Sequence, residues 1–162
     1  MSIQTTSHLN FHGEARAALE FYQSVFGGQL VIATYGDFGM PADAPGATNV
    51  VFGQVESDGG FRVMAYDIPG QPDIPGGPDR SEGADTAGST RRENGVTLTD
   101  QSFFLSVRGE TLKEVMGYWA TLSVGGAIVE PLAASAWSPG FGMLTDRFGV
   151  TWILDVAAPR TA

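Results

Sequence analysis

The chain has 162 residues, 43% of them hydrophobic and 10% aromatic, which is enough apolar material for a packed core. Its formal net charge of −9 argues against nucleic acid as a partner, since phosphate binding needs a basic patch, and disfavours an anionic membrane surface. Cysteine is absent, which excludes disulfides, a thiolate nucleophile and a Cys zinc site.

The N-terminal stretch lacks a basic segment followed by an apolar one. No run approaches the roughly 18 apolar residues of a spanning helix. The expected setting is the cytoplasm.

Ser7–His12 alternates, with Leu9 and Phe11 on one side and His8, Asn10 and His12 on the other. Period two predicts a half-buried strand. Gly13 ends it. Glu14–Phe26 then carries an apolar stripe through Ala18, Leu19, Phe21, Tyr22, Val25 and Phe26, the spacing of an amphipathic helix. Gly27-Gly28 stops that helix, and Gln29–Tyr35 is rich in β-formers. Gly36–Thr48 reads as a loop. Asn49–Glu56 and Phe61–Tyr66 read as strands joined through Asp58-Gly59, a strong hairpin signal. The first half is therefore β-α-β-β-β.

Asp67–Asp100 breaks the pattern with prolines, glycines and charged residues. A segment this long and this poor in apolar residues reads as a linker, with a functional lid as the alternative. Arg91 and Arg92 lie in it and read as solvated side chains; Val96–Leu98 reads as a short strand leading out. Ser102–Arg108 is then a strand and Glu110–Ser123 an amphipathic helix, stopped by Gly125-Gly126. Ala127–Leu132 is a strand, and a hairpin follows, with strands near Gly142–Leu144 and Val150–Val156 around the turn at Asp146–Gly149.

The halves repeat. Gly13-Glu14 answers Gly109-Glu110, Phe21-Tyr22 answers Tyr118-Trp119, and Gly27-Gly28 before Leu30-Val31 answers Gly125-Gly126 before Ile128-Val129. Ordered similarity at structural boundaries means one supersecondary unit used twice. The predicted fold is α+β: two βαβββ modules paired into one curved mixed sheet, with a cavity on the face the helices leave uncovered. The chain reads as a single domain over 1–162, with module one at about 5–67, a loop at 68–100 and module two at 101–158.

The segments HLNFHGEARAALEFYQSVFGGQL, GGAIVEPL and GMLTDRFGVTWILDV, with Trp137, resemble the glyoxalase/bleomycin-resistance/extradiol-dioxygenase (vicinal oxygen chelate) superfamily, and within it the PhnB-like branch. The resemblance implies a glyoxalase-like fold and a homodimer. It does not choose a reaction, since the superfamily hosts isomerases, dioxygenases, resistance enzymes and drug-binding proteins. No G-x-G-x-x-G follows a strand and opens a helix, so no nucleotide cofactor is expected.

The superfamily's metal enzymes imply a His or similar ligand on the first strand of each module and a Glu on the last strand of each. His8 matches the first of these positions. Phe103 or Phe104 stands at the second, and Ile153 stands where the last strand of module two would carry its Glu. The candidates for a divalent metal are His8, Asp67 and Asp155, and the expectation is a chain without a complete metal site. Glu14 and Glu110 read as first-turn partners of the helix dipoles, and Asp146 as a turn residue that binds backbone N–H groups.

The favoured reading is a small-molecule ligand pocket made by Trp137, Phe141 and Met143, with His8 and Asn10 as polar groups and Tyr35 on a wall. These aromatics read equally well as core or dimer-interface residues. The alternatives for the whole chain are a metal-dependent lyase, isomerase or dioxygenase and a non-enzymatic regulatory or structural dimer.

Overall fold

The computed structural model describes residues 3–70 and 90–158. The chain divides into two compact units, with the boundary between Ser81 and Glu82. The first contains β1 (Ser7–Phe11), α1 (Ala15–Phe26), β2 (Gln29–Thr34), β3 (Val50–Glu56) and β4 (Arg62–Asp67). The second contains β5 (Arg91–Glu93), β6 (Val96–Leu98), β7 (Leu105–Gly109), α2 (Leu112–Leu122), β8 (Ala127–Ala133), β9 (Phe141–Thr145) and β10 (Thr151–Val156). Each unit builds one four-stranded mixed sheet, in the order β1-β4-β3-β2 (sheet one) and β7-β10-β9-β8 (sheet two). The outer pair β1–β4, like β7–β10, is parallel, and the remaining pairs are antiparallel. The two βαβββ modules predicted from the repeat are present. Among the described residues no helix is long and apolar enough to cross a membrane.

Each helix covers one face of its own sheet, and a glycine on the middle strand lets it come close. A Cβ on Gly53 would collide with Leu19 Cδ1, and one on Gly142 would lie 2.6 Å from Trp119 Cζ3. Gly53 pairs with Ala65, which pairs with Leu9; Gly142 pairs with Leu154, which pairs with Val107. These rows superpose the modules residue by residue. His8 answers Ser106, Asn10 answers Arg108, Tyr66 answers Asp155, and Asp67 answers Val156. The second glycine of each Gly-Gly pair repeats as well. A Cβ at Gly28 would strike the carbonyl of Glu56, and one at Gly126 the carbonyl of Thr145.

The register moves two expected matches. Gly109 is the last residue of β7 and by strand register the counterpart of Phe11, not of Gly13. The counterpart of His8 is Ser106, so neither Phe103 nor Phe104 stands at that position; both precede β7.

The stretch read as a loop at 68–100 also differs in part. Residues 71–89 of it lie outside the described residues; Val96–Leu98 is the short strand expected, and the difference is Arg91–Glu93, a strand that pairs antiparallel with it. Asn94 and Gly95 turn this hairpin with φ of 52° and 78°, the left-handed pair a two-residue turn requires.

The helices are capped by different means. Thr111 Oγ1 accepts the Glu114 amide at 3.2 Å, and the Glu114 carboxylate accepts the Glu110 amide at 2.9 Å, an arrangement close to a capping box. The N-cap of α1, Glu14, makes no side-chain cap bond. A residue remote in sequence does that work. Asp67 Oδ1 accepts the Gly13 amide at 2.8 Å and the Ala15 amide at 3.0 Å, and Oδ2 accepts the Val50 amide at 2.9 Å. The N-terminal role expected of Glu14 and Glu110 thus falls to Asp67 and Glu114.

Candidate functional site

Strand alternation sorts the expected site residues by face. In sheet one, Leu9, Phe11, Val63, Ala65 and Asp67 are buried on the α1 side. His8 and Asn10 point the other way and are exposed, with Met64 and Tyr66 beside them in register. His8 Nδ1 lies 3.3 Å from Asn10 Oδ1, and its ring meets Tyr66 edge-on at 5.2 Å. His8 and Asn10 therefore share a face, as expected.

Tyr35 lies just beyond β2, where its hydroxyl donates to the Asp67 carbonyl at 2.8 Å. It borders a cleft of about 200 Å³ with Met40, Asn49 and Ile68. Burial, with the Tyr66 and Asp67 charges adding to it, pushes its pKa up.

The metal candidates do not form a donor set. Asp67 is 1% exposed, lies on the opposite face from His8, and spends both oxygens on three backbone amides. Asp155 is held by Arg108 in a two-point ion pair, Nε to Oδ1 at 3.0 Å and Nη2 to Oδ2 at 2.6 Å. Among the described residues no three His, Cys, Asp or Glu side chains converge on a metal position. A divalent metal needs three or more converging donors, and two of the three candidates, Asp67 and Asp155, are engaged by other groups.

Sheet two carries the richer surface. Trp119 packs on Gly142 from the α2 side, so Phe141, Met143, Ile153 and Asp155 face away from α2, with Ser106 and Arg108 beside them in register. At one end of this face Arg108, Asp155 and Phe141 stand side by side on three adjacent strands. Trp137 meets the Phe141 ring edge-on, with centroids 5.3 Å apart, and is 58% exposed. At the other end Met143 is only 1% exposed. Thr97 of the β5–β6 hairpin covers it, with Oγ1 3.7 Å from the Met143 sulfur.

Arg92 fastens that hairpin down. Its guanidinium lies 5.3 Å from the Phe141 ring centroid. Nε donates to Glu130 at 3.0 Å, Nη1 to Thr97 Oγ1 at 2.9 Å and Nη2 to the Gly95 carbonyl at 3.2 Å. The side chain is 14% exposed, so the reading of Arg92 as solvated is corrected; Arg91, paired with Glu93 at the surface, does face solvent. The structure brings Trp137 against Phe141, leaves Met143 buried under the hairpin, and adds Arg92, Thr97, Glu130 and Arg108 around them. Arg108 had a visible signal: it alternates with Val107 on β7, which places it outward. Arg92 had none, because a three-residue strand carries no period.

These arrangements match known proteins along most of the chain. A family model of the Glyoxalase/Bleomycin resistance protein/Dioxygenase superfamily matches residues 7–154. Among solved structures the chain is similar to protein PA1353 from Pseudomonas aeruginosa, at 26% identity and a TM-score of 0.69 over 96% of this chain and 98% of that one. It is similar to the PhnB protein from Bacillus cereus, at 26% identity and a TM-score of 0.64 over 96% and 100%. A glyoxylase/bleomycin resistance protein/dioxygenase domain from Frankia sp. EAN1pec matches at 11% identity and a TM-score of 0.60 over 99% and 96%, a likeness of fold alone. The comparison with curated proteins returns no match.

Proposed function

The chain belongs to the Glyoxalase/Bleomycin resistance protein/Dioxygenase superfamily, in its PhnB-like branch, and from that premise we propose that it binds a small organic molecule on the face of sheet two turned away from α2, without a resident metal. The observation that carries this reading is the Trp137–Phe141 pair. Trp137 is 58% exposed, yet its ring is braced edge-on by Phe141, whose own ring carries the Arg92 guanidinium. A large exposed indole held at a fixed angle is a stacking platform. The β5–β6 hairpin limits the platform on one side, since it covers Met143.

A metal-dependent lyase or isomerase would polarise its substrate through an ion held by several donors. The candidate carboxylates are committed elsewhere, Asp67 to backbone amides and Asp155 to Arg108, which supports binding in place of metal chemistry. Leu112 and Met116 on α2 are 41% and 55% exposed and line an apolar groove of about 430 Å³ with Trp119 and Leu132. Such a surface supports a homodimer as the solution state.

Thermal unfolding against a panel of planar aromatic compounds tests the proposal. At least one compound raises the melting temperature of the wild type, and Trp137→Ala removes the shift. A panel with no stabilising compound, or full stabilisation of Trp137→Ala, would sink it. Stoichiometric divalent metal in the purified protein, lost on His8→Ala, would favour the enzyme reading instead.

A further inference from the structure

We propose that the ligand of this face is an aromatic carboxylate, its ring stacked on Trp137 and its anion held by Arg108. The inference rests on the binding reading above and adds a chemical class to it. Arg108 has five N–H donors in a fixed planar fork. Asp155 takes one edge of that fork, through Nε and Nη2. The other edge, the two N–H groups of Nη1 and the outer one of Nη2, meets no acceptor among the described residues. That edge has the geometry to take a second carboxylate through two parallel bonds.

The two partners differ in exposure in the way an anchor requires. The Asp155 side chain is 9% exposed and the Arg108 side chain 66%. The buried carboxylate holds the guanidinium's inner edge in place, and its outer edge stays open to solvent. The pairing also favours the charged guanidinium, raising the Arg108 pKa above its ordinary value.

The distance to the platform follows from the sheet. Arg108 pairs with Asp155 and Asp155 with Phe141, so Arg108 and Phe141 are two strand spacings apart, roughly 10 Å. Trp137 adjoins Phe141 at 5.3 Å between ring centroids. An aryl carboxylate offers the indole a ring to stack on and the open edge of the guanidinium an anion. Module one repeats the positions with other chemistry: Asn10 answers Arg108 and Tyr66 answers Asp155, which leaves no cation at the equivalent place in sheet one.

The test compares 4-nitrobenzoate with 4-nitrobenzamide, two quenchers of the same shape that differ in charge, by titration of tryptophan fluorescence. Trp137→Phe identifies the part of the signal that belongs to Trp137. On the wild type the carboxylate binds about tenfold more tightly than the amide, the effect of one charge-assisted pair, and Arg108→Gln brings the two together. Equal affinities on the wild type overturn the assignment of an anion while leaving the binding face intact. Absence of Trp137 quenching by either compound, in a protein that other aromatics stabilise, overturns the stacking arrangement. The wild-type comparison needs no variant, so a poorly folding Arg108→Gln cannot hide a failure.

Discussion

Trp152 and Asp146 are joined by a 2.9 Å bond from the indole Nε1 to the carboxylate Oδ2, and both are buried. The other oxygen, Oδ1, accepts the Phe148 and Val150 amides at 2.8 and 3.0 Å. One carboxylate therefore shapes the β9–β10 turn and orients the largest side chain of the sheet two core. Trp152→Phe removes the indole donor and leaves a smaller ring. The expected cost is about 2–4 kcal/mol, measured by chemical denaturation. A cost within about 0.5 kcal/mol, the range of neutral surface changes, would show that the bond contributes little.

Asp67→Asn separates the structural role of this carboxylate from a metal role. The asparagine keeps one acceptor oxygen for the Gly13 and Ala15 amides, but its NH₂ then faces the Val50 amide. An unsatisfied buried donor costs about 1–3 kcal/mol. The expected result is a loss of stability of that order in metal-free buffer, unchanged by a chelator. If chelation alone reproduces the loss in the wild type, Asp67 is a ligand.

The elements were legible wherever a period could be read. The alternation of Leu9 and Phe11 and the stripe through Leu19 and Tyr22 name one strand and one helix without help. What local pattern does not carry is a partner remote in sequence. Asp67 caps a helix that starts at Ala15, and nothing near Asp67 says so. Register was equally hidden: Gly13 and Gly109 match as letters, but the sheets pair Phe11 with Asp67 and Gly109 with Val156. A better guide was present in Phe52-Gly53 and Phe141-Gly142, since both glycines sit under a helix on a middle strand. The aromatic half of the candidate site was legible because Trp137 and Phe141 are large and close in sequence. Its charged half depends on strand neighbours that only pairing reveals.

Glycine substitutions should have opposite signs at two places. Gly117 lies inside α2, and a Cβ there meets nothing within 4 Å. Gly117→Ala removes backbone freedom from the unfolded chain and is expected to stabilise by about 0.5–1 kcal/mol. A Cβ at Gly142 would stand 2.6 Å from Trp119 Cζ3 and 3.0 Å from the Leu132 Cα. Gly142→Ala forces the helix off the sheet and is expected to cost about 1–3 kcal/mol. Equal effects in denaturant titrations would contradict the packing described for α2.

Glu114 predicts a pH dependence. The Glu110 amide and the Tyr118 hydroxyl, both bonded to its carboxylate, hold its pKa below the ordinary glutamate value, against a smaller opposing effect of burial. Because folding lowers this pKa, the stabilisation is complete above the unfolded value of about 4.3 and is lost as pH falls through the folded one. Glu114→Gln is therefore less stable than the wild type near neutral pH. The gap between the two narrows as the pH is taken down toward about 3. A gap that stays constant over that range would mean that the charge plays no part in the cap.

Arg92→Gln tests whether the β5–β6 hairpin is a separate unit latched to sheet two. Arg92 uses Nε on Glu130, Nη1 on Thr97 and Nη2 on Gly95 while lying over Phe141. The hairpin has three residue pairs, and an isolated hairpin of that size is not stable in water. Its order must come from contacts such as the guanidinium and the Thr97–Met143 approach. Glutamine is too short to replace all of these contacts and carries no charge for Glu130. Hydrogen exchange of the amides in 91–98 is expected to accelerate by about tenfold or more, while the amides of β9 and β10 keep their protection. Global stability should fall by only about 1 kcal/mol, since the pair is partly exposed. Uniform acceleration across sheet two would instead make Arg92 part of the cooperative core, and unchanged exchange in 91–98 would place the latch elsewhere.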